Sequence, residues 1–394
     1  MNVKNSHFIP KLLLRQFASK KDKICLFDLK SGDFRPNVKL DRAFAIKGYY
    51  PDDIKDEFNR RTEGEFADLL HKVILTAKDK VVRLDRTQVQ KIKKFLLLLI
   101  LRSIHNDEWI EGERRFGDTI ERMNTEQGLS EDLVFKFKEK EIEGETTHDY
   151  WIRSLRCILD SKYGLPEELE SDPNATQMAW RWAWVIRTGF LGFWSSKGTN
   201  VDFLVTDVGM TSENEMCIGN DIALNPNKIE SLINCASRAR LLPNSDLLCR
   251  QLWQTAVRQC HFHENFMQFP LTKELMIVLI NPYFKDYAMY KDLGLPFVPM
   301  EALTQLNNKR AFAPNKSFYI KEGEFHDEDR FEYEIHNLTK ENCIYLNKLT
   351  LDRVDTTLGF SDPRRILTSL EAYQFVPGKL NDYSELIRQI KEEK

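Results

Sequence analysis

Apolar and polar positions alternate in two different periods along this chain, and the change between them marks out the architecture. Near the N-terminus Ile24, Leu26, Phe27 and Leu29 predict short strands, with Ser31-Gly32-Asp33 turning between Asp28 and Phe34. Ile54, Phe58, Phe66, Leu69, Leu70, Val73 and Ile74 then recur at steps of three and four, an apolar helical stripe that needs a core to face. A second helix starts at Asp85, whose side chain suits an N-cap with Gln88 three residues on. It runs through FLLLLILRSI, apolar on every face and so expected in the middle of a bundle. In AWRWAWVIRTGFLGFW, residues 179–194, Trp180, Trp184 and Ile186 to Phe190 fit one helical face, read as core packing in preference to a base-stacking platform.

Beyond residue 200 the period shortens. DFLVTD at 202–207, EMCIG at 215–219 and ELMIVLI at 274–280 predict strands, residues 226–260 read as helical, and three helices follow from about 340. The chain is therefore expected to be a helix-rich α+β protein: an N-terminal β-hairpin region and a buried helix bundle packed on a mainly antiparallel sheet. One domain over 1–394 is expected, with a β-rich region 1–50, a helical region 51–196, a sheet core with a helical insert at 197–285, and a C-terminal α/β region at 286–394. Residues 106–150 read as exposed, charge-rich helix, and the run FKFKEKEIEGE within them as a solvated face and loop.

Composition adds limits. With 394 residues, 42% hydrophobic, 30% charged and a formal charge of -3, the chain has no long-range attraction for phosphates, so nucleic acid would need a local basic patch. Seven scattered cysteines without a CxxC pair fit a reducing cytosol better than a disulfide framework. The most apolar stretch is far shorter than the roughly 20 residues of a membrane-spanning helix, and no signal-peptide pattern opens the chain. Phosphate loops, nucleophile elbows and His-Glu-x-x-His helices are absent from the sequence, which removes the common NTPase, esterase and zincin readings. The Cys260-to-Glu264 segment splits its candidate zinc ligands across two strand faces, and the Arg258/His263 and Arg330/His336 spacings are what chance supplies among eight histidines.

The ordered motifs carry a resemblance. Asn5, His7, Phe8, Ile9, Pro10, Leu14, Arg15 and Phe17, then CLFDL, Glu63 in TEGEFADLL, Arg102 closing the apolar helix, Asp207 in FLVTD, FPLT at 269–272 and Asn347 in YLNKL resemble the domain-of-unknown-function family numbered 4238. Val208-Gly209 stands here where the family has Asn-Pro after the Asp. Members occur in bacterial antiphage defence loci, so the resemblance implies a stand-alone immune protein.

The chemistry of those residues suits a hydrolase acting on nucleic acid or a nucleotide. His7 would transfer protons, Arg15 and Arg102 would contact phosphate, and Glu63 and Asp207 would orient groups or hold Mg²⁺ if a metal is used, with His105 and Asn347 as substrate contacts. Without a metal, His7 with an arginine could cleave RNA through its own 2′-hydroxyl. The alternative is a non-enzymatic sensor or binding module for RNA, DNA or a phage component, in which His7 and Arg15 tie the hairpin to the bundle and Arg102 pairs with Asp207.

Overall fold

The computed structural model describes residues 5–19, 22–76, 80–103, 107, 109–114, 139–213, 266–280, 302–303 and 330–392. In chain order the elements are β1 Asn5–His7, α1 Lys11–Leu14, β2 Lys23–Asp28, β3 Asp33–Lys39, β4 Ala45–Lys47, α2 Asp52–Glu57, a π-helical stretch Phe58–Glu63, α3 Gly64–Thr76, β5 Val81–Asp85 and α4 Arg86–Ser103. Next come α5 Thr147–Asp160, α6 Pro166–Glu170, α7 Gln177–Thr188, β6 Phe190–Ser195, β7 Val205–Thr206, β8 Thr211–Glu213, β9 Phe266–Pro270 and β10 Leu275–Ile280. The remainder is β11 Ala302–Leu303, β12 Arg330–Asn337, α8 Lys340–Asp352, β13 Thr357–Phe360, α9 Pro363–Tyr373 and α10 Ser384–Glu392. The protein is α+β, with helices and three mainly antiparallel sheets; β12 against β6 is parallel.

The seven-stranded sheet runs β11-β12-β6-β10-β9-β8, with β5 also on β12. Strand alternation gives it two dissimilar faces. Leu191, Phe193, Ile277, Leu279, Met267 and Phe269 join the large core built with α3, α4, α5 and α7, whereas Trp194, Met276, Val278, Ile280 and Phe266 form a separate core with Leu346 and Cys343 of α8. The expectation of a bundle packed on a mainly antiparallel sheet is met.

The N-terminal hairpin β2–β3 belongs to a second sheet, ordered β3-β2-β13-β7. Ile24 and Leu26 face the large core while Cys25 and Phe27 face α9 and α10, so the uninterrupted apolar run of β2 reflects burial on both sides. At the crossing with β13 only glycine fits, since a Cβ on Gly359 would lie 2.8 Å from the ring of Phe44 and 2.9 Å from Val205.

Asp85 caps α4 as expected: its Oδ1 accepts the Gln88 amide (2.8 Å) and the Gln88 side chain accepts the Asp85 amide (3.1 Å), a reciprocal box. The segment 179–194 departs from its expected single helix. Helix α7 ends at Thr188, Gly189 turns the chain out into extended backbone (φ −66°, ψ 142°), and β6 follows directly. Trp180 and Trp182 are buried, in line with core packing.

The strand expected at 202–207 is reduced to Val205–Thr206, and those expected at 215–219, with the helix at 226–260, lie outside the described residues. Part of the solvated charge run is likewise anchored: Glu139 and Glu145 both hold Arg153, and Glu139 also accepts from Gln177 N. Arg330 and His336 sit at the two ends of β12, roughly 20 Å apart at the strand rise. Arg258, His263 and the Cys260-to-Glu264 segment lie outside the described residues.

Candidate functional site

The end of α4 gathers part of the expected cluster. Three main-chain carbonyls of the last described turn of α4 take side-chain donors: Trp151 Nε1 bonds Leu101 O (2.7 Å), Tyr50 Oη bonds Arg102 O (3.4 Å) and Ser103 Oγ bonds Ile100 O (2.8 Å). The Arg102 side chain, almost wholly buried, donates to the main-chain carbonyl of His7 and lies over the rings of Phe58 (4.2 Å to its centroid) and Tyr50 (5.8 Å). The stacked Tyr50 and Trp151 rings, 5.4 Å apart, complete an aromatic collar.

His7 sits on β1 with Nδ1 3.0 Å from Ala43 O, which fixes Nδ1 as the protonated nitrogen of the neutral ring. Burial, helped by the nearby cations Lys11 and Arg102, pulls its pKa down to about 4 against the raising effect of Ala43 O and Asp41. Arg15 is exposed beyond α1 and makes no side-chain hydrogen bond or ion pair among the described residues. Glu63 falls in the stretch Phe58–Glu63, and its carboxylate lies outside what the structure describes, as does His105 altogether.

Asp207 is fully buried, and its surroundings replace the expected pairing with Arg102: no ion pair joins the two among the described residues. Its Oδ1 accepts from Asp355 N (3.2 Å), and its Oδ2 from Thr356 N (2.5 Å), Thr356 Oγ1 (2.6 Å) and Thr357 N (2.9 Å). Three donors crowd Oδ2 and one reaches Oδ1, so the turn into β13 is organised around this carboxylate. Among the described residues no group of three or more His, Cys, Asp or Glu could hold a metal. The loop after Asp207 does reach the N-terminal segment, since a Cβ on Gly209 would touch Ile9 (3.0 Å) and Leu99 (3.3 Å). Asn347 is buried in α8, with its amide donating to Asp202 O (2.9 Å) and Ser369 Oγ (3.0 Å).

The structure thus brings His7 and Arg102 together and leaves Arg15, Asp207 and Asn347 in other surroundings. It also shows a cleft of about 380 Å³ between α3, α4 and the turn after α5 that the motif reading missed. Its signal was Lys91 and Lys94, one turn apart in α4, which the run of leucines beside them obscured.

The family model described as "Protein of unknown function (DUF4238)" matches residues 5–320. The chain belongs to this family. No curated protein and no solved structure matches it. Arg102 holds β1 against the last described turn of α4 through the His7 carbonyl, and Asp207 holds the turn into β13, so these three residues within the matched span act at joints between elements. No helix among the described residues is long and apolar enough to cross a membrane.

Proposed function

We propose that this DUF4238 protein is a recognition module, a sensor or binder in the antiphage setting implied by the family resemblance, and that its N-terminal polar cluster is a structural brace. One observation carries the reading: the Asp207 carboxylate is fully buried and accepts four hydrogen bonds from residues 355–357, three of them on Oδ2, which is the environment of a group that holds a turn in place. Asp207→Asn turns one acceptor oxygen into a donor facing those N–H groups, at a cost of about 2–3 kcal/mol. A clear fall in melting temperature is expected. An unchanged melting temperature with loss of antiphage protection would overturn the reading.

A second reading, hydrolysis of nucleic acid or a nucleotide, is favoured by His7 alone, whose neutral imidazole beside Arg102 has the form of a proton acceptor. Incubation with tRNA, plasmid DNA and nucleotides, with Mg²⁺ and with EDTA, tests it; products that vanish in His7→Gln support a hydrolase.

A further inference from the structure

We propose that the cleft between α3, α4 and the turn after α5 binds a phosphate-bearing small molecule of mononucleotide size; the proposal rests on the recognition reading and supplies its ligand class. Four cations line the cleft, Arg61, Lys91, Lys94 and Lys162, against one carboxylate, Glu65. The four come from three separate segments, the π-helical stretch, α4 and the turn at 161–163, so they converge without being neighbours in sequence.

Lys94 is the central group. It is partly buried, and its ammonium donates to two main-chain carbonyls, Leu159 O (3.1 Å) and Ser161 O (2.5 Å), with no ion pair to any carboxylate among the described residues. An ammonium has three protons, so one stays available to an anion in the cleft beside it. Burial lowers the pKa of Lys94, and a bound anion would oppose that shift.

The other cations have partners of their own. Arg61 is shared between Glu57 (2.6 Å), whose paired oxygen is buried, and Asp160 (3.5 Å), Lys91 faces Glu65 at 3.3 Å, and Lys162 lies over the Tyr163 ring at 4.7 Å. The Lys91–Glu65 pair, exposed on both sides, contributes little and is exchanged at small cost for a multiply charged phosphate. Arg61 also lies in a π-helical stretch, a distortion frequent where helices carry function.

The remaining surface suits a flat ring. The half-buried ring of Tyr163 faces this space, while Phe66 and Phe95, stacked on one another with centroids 3.6 Å apart and almost wholly buried, form its floor. A volume of about 380 Å³ lies at the small end of ligand sites, about that of a mononucleotide.

Titration calorimetry of the full chain with adenosine 5′-monophosphate, inorganic phosphate and adenosine tests this. The monophosphate should bind, phosphate more weakly and adenosine weakest. Lys91→Gln, an exposed change that leaves the fold intact, should weaken the monophosphate several-fold. Lys94→Met should weaken it by at least about tenfold, the cost of a charge-assisted hydrogen bond, with circular dichroism confirming its fold. Absence of binding by all three probes at millimolar concentration, or wild-type affinity in both variants, overturns the site. Equal affinity for phosphate and monophosphate overturns the ring contact. Turnover of the nucleotide would overturn the recognition reading and leave the site standing, whereas Asp207→Asn tests that reading without touching the cleft.

Discussion

Among the cations that helix α4 carries inward, Lys94 and Arg102 stand eight residues apart, about 12 Å along its axis, and the surroundings treat them in opposite ways. Arg102 is sealed by a carbonyl and aromatic rings, while Lys94 is steadied by two carbonyls at the edge of an open cleft. The first cation is enclosed by the protein, whereas the second faces a cleft. A charged residue closing a buried helix is therefore weak evidence of chemistry until its partners are known, and a lysine hidden in a leucine-rich helix can be the better lead.

Breaking the sealed end should have the largest effect. Arg102→Ala removes the donor to His7 O and the cover over Phe58, and should lower stability by about 3–4 kcal/mol, read as a drop in the urea midpoint at unchanged slope. Gly359→Ala, at the same core, should cost about 1–3 kcal/mol by overpacking against Phe44, and a Gly359→Ala, Phe44→Leu pair should recover part of it.

Acid acts next. Unfolded His7 takes its proton near 6.5 and folded His7 only near 4, so the unfolded state binds more protons between those values and His7 makes stability rise with pH across that window and not above it. Asp202 opposes this: burial pushes its pKa up to about 6 despite Arg365 at 2.9 Å, so its contribution falls as pH rises toward 6. The His7 effect is thus read as the difference between wild type and His7→Gln melting curves from pH 4 to 7. The smallest change is expected at the open site, where Lys91→Gln should shift stability by no more than about 0.5 kcal/mol. A larger loss would show that Lys91 belongs to the scaffold and blur the contrast.

What the chain disclosed about itself follows the range of each interaction. The Asp85–Gln88 box, the α3 stripe and helices α8 to α10 were legible because caps and three-four spacing act within a turn or two. The passage from α7 to β6 was not, because aromatic residues suit both a buried helix and a buried strand, and only Gly189 marks the break. Strands β5 and β12 define each other by pairing Val81–Asp85 with 330–334, a relation no local window contains. The cluster was half legible: the residue types at His7 and Arg102 pointed to proximity, while the 355–357 turn that engages Asp207 lies about 150 positions downstream.

The seam between β2 and β13 bears on how the polypeptide reaches this state. Cys25 Sγ meets Ser361 O across 336 positions of chain, so the first hairpin to leave the ribosome waits for nearly the last strand before its second face is covered. Closure of so long a loop is slow, and until then Cys25 and Phe27 are uncovered on a strand edge prone to wrong pairing. Synthesis of this protein should accordingly lean on chaperones, and a chain cut before residue 357 should accumulate as aggregate even though it retains the whole of the family-matched region.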